Sequence, residues 1–263
     1  MITLISPAKN LNFDRVSGIP RATKPVLLDD VAELSTVTKK LTRAKLKQLM
    51  GISENLADLN YERFQAFSPE GKGESLKAAA FAFNGDVYLG LDAASLSADD
   101  LKFGQKNLRI LSGLYGILRP LDAIQPYRLE MGSRLKNMRG KNLYEFWGAQ
   151  IADEINKASA KHEDAAIINL ASVEYFKAVD RKVLKSEIIT PVFMEEKDGK
   201  QRQIQFYAKR ARGLMARWIM QERVETRNAL TAFSVDGYRL SQDQSSDSKL
   251  VFVRPQPKPQ KAA

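Results

Sequence analysis

Three short apolar segments, each followed by a polar turn, limit what this chain can fold into. Residues 2–5, 108–111 and 165–170 are too short for helices and consist mainly of aliphatic side chains, which is typical of buried strands. Helical patterns flank them, at 25–41 and from about 208 to 223. Buried strands alternating with helices predict a mixed α/β (α+β) fold rather than a helical bundle. The same patterns predict a further strand at 79–83 and a helix at 142–159.

Length and composition predict a single globular domain. The chain has 263 residues, of which 44% are hydrophobic and 27% charged, and these values suit a sizeable core. Because no linker divides the sequence, we expect one domain over residues 1–253. The segment 254–263 has proline at alternate positions, which predicts a disordered tail. The chain has no basic leader and no apolar run long enough for a bilayer, so we expect a cytoplasmic protein without a membrane partner.

The charge and the inventory of metal-ligating residues narrow the function. The formal net charge is +10, which favours a polyanionic partner such as nucleic acid. The chain has no cysteine and a single histidine, so thiolate and histidine-rich metal sites are excluded. We therefore expect no cofactor and no tightly bound metal.

Residues 42–67 predict two helices around a tight turn. Thr42 is placed to cap the first helix, Gly51 to end it, and Ser53 to cap the second. The pattern is similar to the helix-hairpin-helix module, in which backbone amides of the turn face one DNA phosphate. An ordinary pair of packed helices is the alternative, since Ser53 replaces the second glycine of that module. The DNA-contact candidates here are Lys45, Lys47, Gly51, Ile52, Ser53 and Asn55.

The predicted helix from about 208 to 223 separates apolar from basic residues. Its apolar residues cluster on one side, so the helix should pack on the core and turn a basic face outward. That face suits a surface that follows phosphates, although a merely solvated face is the equal alternative. The candidate phosphate contacts are Lys209, Arg210, Arg212 and Arg217.

Polar segments follow the predicted buried strands and predict a pocket at one edge of the sheet. Loops at the carboxyl ends of strands commonly carry ligand sites in α/β proteins. The glycine-rich stretch 111–132 matches neither a P-loop nor a dinucleotide fingerprint, and an internally stabilised loop is the alternative. The pocket candidates are Ser6, Lys9, Asp86, Ser112, Tyr115, Arg119, Asp122, Tyr127, Arg128, Asn169, Ser172, Glu174 and Tyr175.

Some of these residues suit acid–base or nucleophilic chemistry on nucleic acid. Lys9 is a candidate amine, Tyr127 a candidate stacking ring, and the candidate carboxylates are Asp86, Asp122 and Glu174. This set predicts, as one alternative, a base-excising glycosylase or lyase. A protein that merely binds a nucleotide in the pocket is a weaker alternative.

Long segments of the chain resemble the YaaA family. They are residues 5–9, 83–91, 111–132, 168–177 and 206–213, and the likeness extends over nearly the whole chain except the tail. The resemblance implies a cytosolic bacterial protein of the peroxide stress response, associated with lower free intracellular iron. It also implies a DNA-binding protein of unusual mixed α/β topology, with a helix-hairpin-helix and a positively charged cleft.

These observations together predict a protein that binds DNA without sequence specificity, mainly through the phosphate backbone, and protects it from oxidative damage. Affinity for DNA should then fall steeply with salt, because bound cations are released from the phosphates. A nucleic-acid-processing enzyme remains the alternative function.

Overall fold

The computed structural model describes residues 1–69, 71 and 76–257 as a mixed sheet, two short strand pairs and surrounding helices. The strands are Ile2–Ile5 (β1), Asn10–Leu11 (β2), Lys77–Ala78 (β3), Phe83–Asn84 (β4), Leu108–Ser112 (β5), Gly116–Leu118 (β6), Ala123–Ile124 (β7), Ile167–Leu170 (β8), Ile188–Lys197 (β9), Lys200–Arg202 (β10), Arg239–Leu240 (β11) and Lys249–Pro255 (β12). The helices are Leu28–Thr38 (α1), Arg43–Met50 (α2), Glu54–Ala66 (α3), Ala79–Ala82 (α4), Asp86–Leu91 (α5), Ala98–Asn107 (α6), Leu143–Trp147 (α7), Gln150–Ser159 (α8), Val173–Phe176 (α9) and Gln205–Gln221 (α10).

The main sheet confirms the predicted α/β class. Its strands lie in the order β11-β12-β9-β8-β1-β5-β6, and β10 pairs with β9. Each of the strands from β12 to β5 along this order runs parallel to its neighbours in that group, whereas β6, β10 and β11 are antiparallel additions. Every residue of β1 is buried, so both faces of the sheet are covered, as continuous apolar strands require.

The strand order reverses beside β1. After β1 the chain next joins this sheet at β5 on one side, and later at β8 on the other. Ile5 is in register with Ile110 and with Leu170, so the carboxyl ends of β1 and β8 lie next to each other. In open α/β sheets the crevice at such a switch point is a common ligand site.

Two glycines bring α5 and α10 into backbone contact. A Cβ atom at Gly90 would collide with the carbonyl oxygen of Arg210, and one at Gly213 would collide with that of Val87. Only glycine permits this approach. The contact fixes the first half of α10 beside α5, at the carboxyl edge of the sheet.

The two helices predicted within 42–67 are present, with the expected caps. The hydroxyl oxygen of Thr42 accepts from the Lys45 amide, and that of Ser53 accepts from the Leu56 amide. Gly51 ends α2 in the left-handed conformation, with φ 61°. DNA binding by this turn stays a prediction, because caps and a turn are equally compatible with a structural role.

Two predicted elements differ from the structure. Residues 79–83, predicted as a strand, contain the short helix α4, because alanine favours helix and a short apolar run cannot distinguish the two states. The predicted helix at 142–159 is divided into α7 and α8 at Gly148, whose φ is 45°.

The last strand continues past the expected domain boundary at residue 253. Arg254 is buried, forms ion pairs with Glu195 and Asp236, and lies over the ring of Tyr238. Strand pairing extends to Pro255, so the disorder predicted for 254–263 is wrong for its first two residues. Residues 258–263 of that segment lie outside the described residues. No helix in the described ranges is long and apolar enough to cross a membrane.

Candidate functional site

A cleft of about 400 Å³ opens at the carboxyl ends of β1 and β8, where the strand order reverses. It brings together six of the predicted pocket residues, namely Ser6, Lys9, Asp86, Ser172, Glu174 and Tyr175. Asn84, Tyr88 and Glu130 also line it, together with the cations Lys209 and Arg212 of α10. We call this concavity the switch-point cleft.

Two serines join the strand ends on the floor of the switch-point cleft. The Ser172 amide donates to the Ser6 hydroxyl oxygen at 2.8 Å, and the Ser6 hydroxyl donates to the Ser172 hydroxyl oxygen at 3.3 Å. Tyr88 donates its hydroxyl to the Ser6 carbonyl at 3.0 Å. These bonds hold the loops after β1 and β8 together, so both serines have a structural role in shaping the floor.

The charged residues of the cleft are partly paired. The Glu130 carboxylate forms ion pairs with Lys9 at 3.2 Å and with Arg128 at 3.0 Å, so one anion is shared by two cations. Lys209 is exposed and Arg212 half-buried, and neither forms an ion pair within the described part of the chain. Burial lowers the pKa of the Arg212 guanidinium. Lys209 and Arg212 are therefore the cations of the cleft that an anionic ligand can reach without displacing an acidic partner.

The tyrosines of the cleft are neutral hydrogen-bonding groups. Burial raises the pKa of Tyr88 well above its usual range. Burial and the nearby Glu174 carboxylate likewise raise the pKa of Tyr175. Neither phenol therefore ionises near neutral pH, and both can only donate or accept hydrogen bonds there.

Asp122 and Arg119 lie away from the switch-point cleft. Asp122 is fully buried and accepts the Thr23 hydroxyl at 2.6 Å and the Arg119 guanidinium at 2.8 Å. A carboxylate enclosed in this way joins two loops and has no open face for a substrate. The prediction of Asp122 as a pocket base is thus incompatible with its position.

Tyr127, Ser112 and Tyr115 also lie outside the lining of the cleft. The Tyr127 hydroxyl is 2.7 Å from the Ser112 hydroxyl oxygen, and both groups are buried. The ring of Tyr127 packs edge-on against that of Tyr115, with centroids 5.4 Å apart, and against Phe83. Tyr127 is therefore a core residue and cannot stack on a nucleobase. The sequence pattern missed this because a tyrosine in a glycine-rich loop resembles an exposed one.

Arg128 and Asn169 support the site without lining it. Arg128 reaches the cleft only through Glu130. The Asn169 side-chain oxygen accepts from the Ala171 amide at 3.1 Å and so shapes the turn after β8.

A second concavity, of about 690 Å³, lies between the α1–α2 region and the loop 132–136. We call it the basic groove, and its lining residues are Val37, Lys40, Leu41, Lys45, Gln48, Leu49, Gly132, Arg134, Leu135 and Lys136. All four of its cations are exposed, and none forms an ion pair within the described residues. Among the residues that the structure describes, no acidic one lines it. Of these cations only Lys45 was a sequence candidate, although the alternation Arg134-Leu135-Lys136 after the glycine-rich stretch was a usable signal.

The turn of the predicted hairpin uses several of its polar groups internally. The amides of Gly51 and Ile52 both donate to the Lys47 carbonyl, and Ile52 is buried. The Lys47 ammonium pairs with Glu54 at 2.7 Å, which lowers the pKa of that carboxyl. Ser53 and Asn55 are exposed, so the amides at the start of α3 are the accessible donors of this turn.

Arg217 and Arg210 of α10 are in different situations. Arg217 donates to the carbonyls of Leu91 and Asp92, at 3.1 and 2.8 Å, and so ties α10 to the end of α5. A phosphate contact by Arg217 would break these bonds. Arg210 is exposed and continues the basic surface beside Lys209.

The fold and site define an α/β protein with a ligand-sized cleft at its switch point and an adjoining basic groove. A family model described as "Peroxide stress protein YaaA" matches residues 1–244. A UPF0246 protein of Maricaulis maris is 53% identical over 257 residues, which is 98% of this chain and 97% of the relative. A UPF0246 protein of Ralstonia pickettii is 52% identical over 254 residues, which is 97% of this chain and 99% of the relative. The chain belongs to the peroxide stress protein YaaA family, and a role in peroxide stress fits that membership.

Proposed function

We propose that this protein binds DNA during peroxide stress, through phosphates and without sequence specificity, and that the basic groove is its principal contact surface. The observation that carries the proposal is the groove's lining, which has four exposed cations and, among the described residues, no carboxylate. Exposed lysines and arginines that lack a protein partner can exchange water for phosphate at little cost, and they release the counterions of the nucleic acid.

The arrangement of the cations suits a backbone rather than a single anion. Lys40 and Lys45 come from the α1–α2 region, whereas Arg134 and Lys136 come from the facing loop, so positive charge lies on both walls. The rest of the described lining is mainly aliphatic, with the amide of Gln48 and no aromatic ring on which a base could stack. Such a groove recognises phosphates and sugars, which explains binding without sequence preference.

The two helices of residues 42–67 and α10 carry further candidate phosphate contacts. Lys45 belongs to both the hairpin and the groove, and the free amides at the start of α3 are suited to a further phosphate. Lys209 supplies charge at the switch-point cleft, and Arg210 is exposed next to it in the chain. We assign these residues a secondary share of the affinity.

Fluorescence anisotropy with a labelled duplex at low and physiological salt tests the proposal. Reversing two charges on opposite walls, Lys45→Glu with Lys136→Glu, should weaken binding about 100-fold and flatten the salt dependence by about two units of slope. Lys182→Glu with Lys185→Glu is the matched control, because both lysines are exposed and precede β9 at the amino edge of the sheet. Equal affinity of the folded double variant and the control variant would contradict the proposal.

We also propose that protection from peroxide, and the lower free iron that the resemblance implies, both depend on DNA binding. In cells from which the gene for this protein has been deleted, the wild-type gene should restore survival in peroxide and lower chelatable iron. The double variant of the groove should restore neither. If the double variant lowered chelatable iron as the wild-type gene does, the iron effect would be independent of DNA binding. That result would contradict this part of the proposal.

A further inference from the structure

We propose that the switch-point cleft receives one unstacked nucleotide of the bound DNA. The inference rests on the proposed function, since DNA must first occupy the basic groove. The ligand of the cleft is then a nucleotide extruded from the duplex. DNA binding in the groove alone would not require such an extrusion.

The size of the cleft favours a single nucleotide. At about 400 Å³ it lies within the range of about 300–1,000 Å³ that small-molecule pockets occupy. A base that is still stacked in a duplex cannot enter a concavity of that size. Proteins that handle single bases solve this problem by turning the nucleotide out of the stack.

The chemistry of the lining matches both ends of a nucleotide. Lys209 and Arg212 can hold the phosphate without giving up an existing partner. Asn84 offers an amide, and Asp86 a carboxylate that accepts from amino groups on a base edge. A cleft for a simple anion would not need these neutral and acidic groups beside its cations.

Three exposed apolar side chains lie close in sequence to residues that line the cleft, and we call them the rim residues. Leu89, Val173 and Phe206 are 62%, 89% and 51% exposed. Val173 lies between the cleft residues Ser172 and Glu174, and the other two lie one helical turn from Asp86 and Lys209 respectively. Apolar wedges of this kind fill the space that an extruded base leaves and offset part of the lost stacking.

The basic groove and the switch-point cleft share a wall. The Gly132 amide, which lines the groove, donates to the Glu174 carboxylate of the cleft at 2.9 Å. The two concavities therefore adjoin at Gly132 and Glu174, which places the cleft next to a strand bound at this end of the groove. This continuity distinguishes the cleft from an unrelated small-molecule pocket.

The test uses a duplex that carries 2-aminopurine, whose fluorescence rises when it leaves the stack, and a separate end label for anisotropy. The wild-type protein should raise 2-aminopurine fluorescence several-fold, with low acrylamide quenching because the base lies in the cleft. Leu89→Ala with Val173→Ala should lose most of the rise while anisotropy still shows saturable binding, because the cations of the basic groove are intact. The matched control is Leu59→Ala with Val26→Ala, whose side chains are 45% and 48% exposed elsewhere on the surface.

The two signals separate the two proposals. Saturable anisotropy without any rise in 2-aminopurine fluorescence would overturn the nucleotide site and leave DNA binding intact. No change in anisotropy would overturn the proposed function itself. A rise with strong acrylamide quenching, or equal loss in the rim and control variants, would place the base outside the cleft and overturn the inference.

Discussion

The helical pair at residues 42–67, which we call the hairpin, is as rich in cations as the basic groove. The two surfaces differ in how far these cations are paired with carboxylates. In the hairpin, Arg43 pairs with Asp58 and Glu62, and Lys47 pairs with Glu54. In the groove, Lys40 and its three companion cations have no acidic partner in the described structure. A basic stretch of sequence is therefore not the same as available positive charge, because nearby carboxylates decide which cations a polyanion can reach.

The largest expected effect concerns the contact between α5 and α10, which positions the α10 cations at the switch-point cleft. Gly213→Ala should lower the free energy of unfolding by about 3 kcal/mol, because the added methyl group meets the Val87 carbonyl and backbone cannot move aside as a side chain can. Thermal unfolding should show a Tm lower by about 6–12 °C.

Gly104→Ala is the control for this prediction. There the new methyl group meets the flexible end of Met220 instead of backbone, so the loss should be clearly smaller. Similar Tm values for the two variants would mean that the helix contact through Gly90 and Gly213 is not tight.

The turn of the hairpin should matter for stability more than for DNA. Gly51→Ala should cost about 1 kcal/mol, since the left-handed φ is strained for alanine although the space around it is open. Affinity for DNA should stay within about threefold, because the Gly51 and Ile52 amides already serve the Lys47 carbonyl.

Gly199→Ala supplies the comparison for Gly51, with a similar φ of 69° and equally open surroundings in the β9–β10 turn. Both variants should lose similar stability in chemical denaturation. A drop in DNA affinity confined to Gly51→Ala would show that the turn contacts DNA more directly than we propose.

The smallest effect separates two lysines of the same helix. Lys45→Ala should weaken DNA binding about fivefold, whereas Lys47→Ala should change it less than twofold, because the Lys47 ammonium is held by Glu54. Titrations at several salt concentrations should show a shallower slope for Lys45→Ala alone. The reverse order would refute the distinction between paired and available cations.

Local signals in the sequence predicted the fold better than they predicted the site. Buried strands and helix caps such as Thr42 and Ser53 depend on near neighbours, and the structure has them where the pattern places them. The meeting of Ser6 with Ser172 followed from the rule that parallel strands end at one edge. What could not be predicted depends on contacts between distant segments.

Asp122 and Tyr127 illustrate this limit. The same loop composition suits an open pocket or an enclosed hydrogen-bond network, and only the partners Thr23 and Ser112 decide between them. The basic groove was missed for a similar reason, since its two walls are far apart in the sequence.

The hydrogen bond between the Gly132 amide and Glu174 has a thermodynamic consequence. A ligand that draws the Glu174 carboxylate away must also break this bond to the loop that carries Arg134 and Lys136. If filling one concavity changes the affinity of the other through this bond, linkage requires that the change be the same in both directions. The Glu174 carboxylate is the group through which such a coupling between the basic groove and the switch-point cleft would pass.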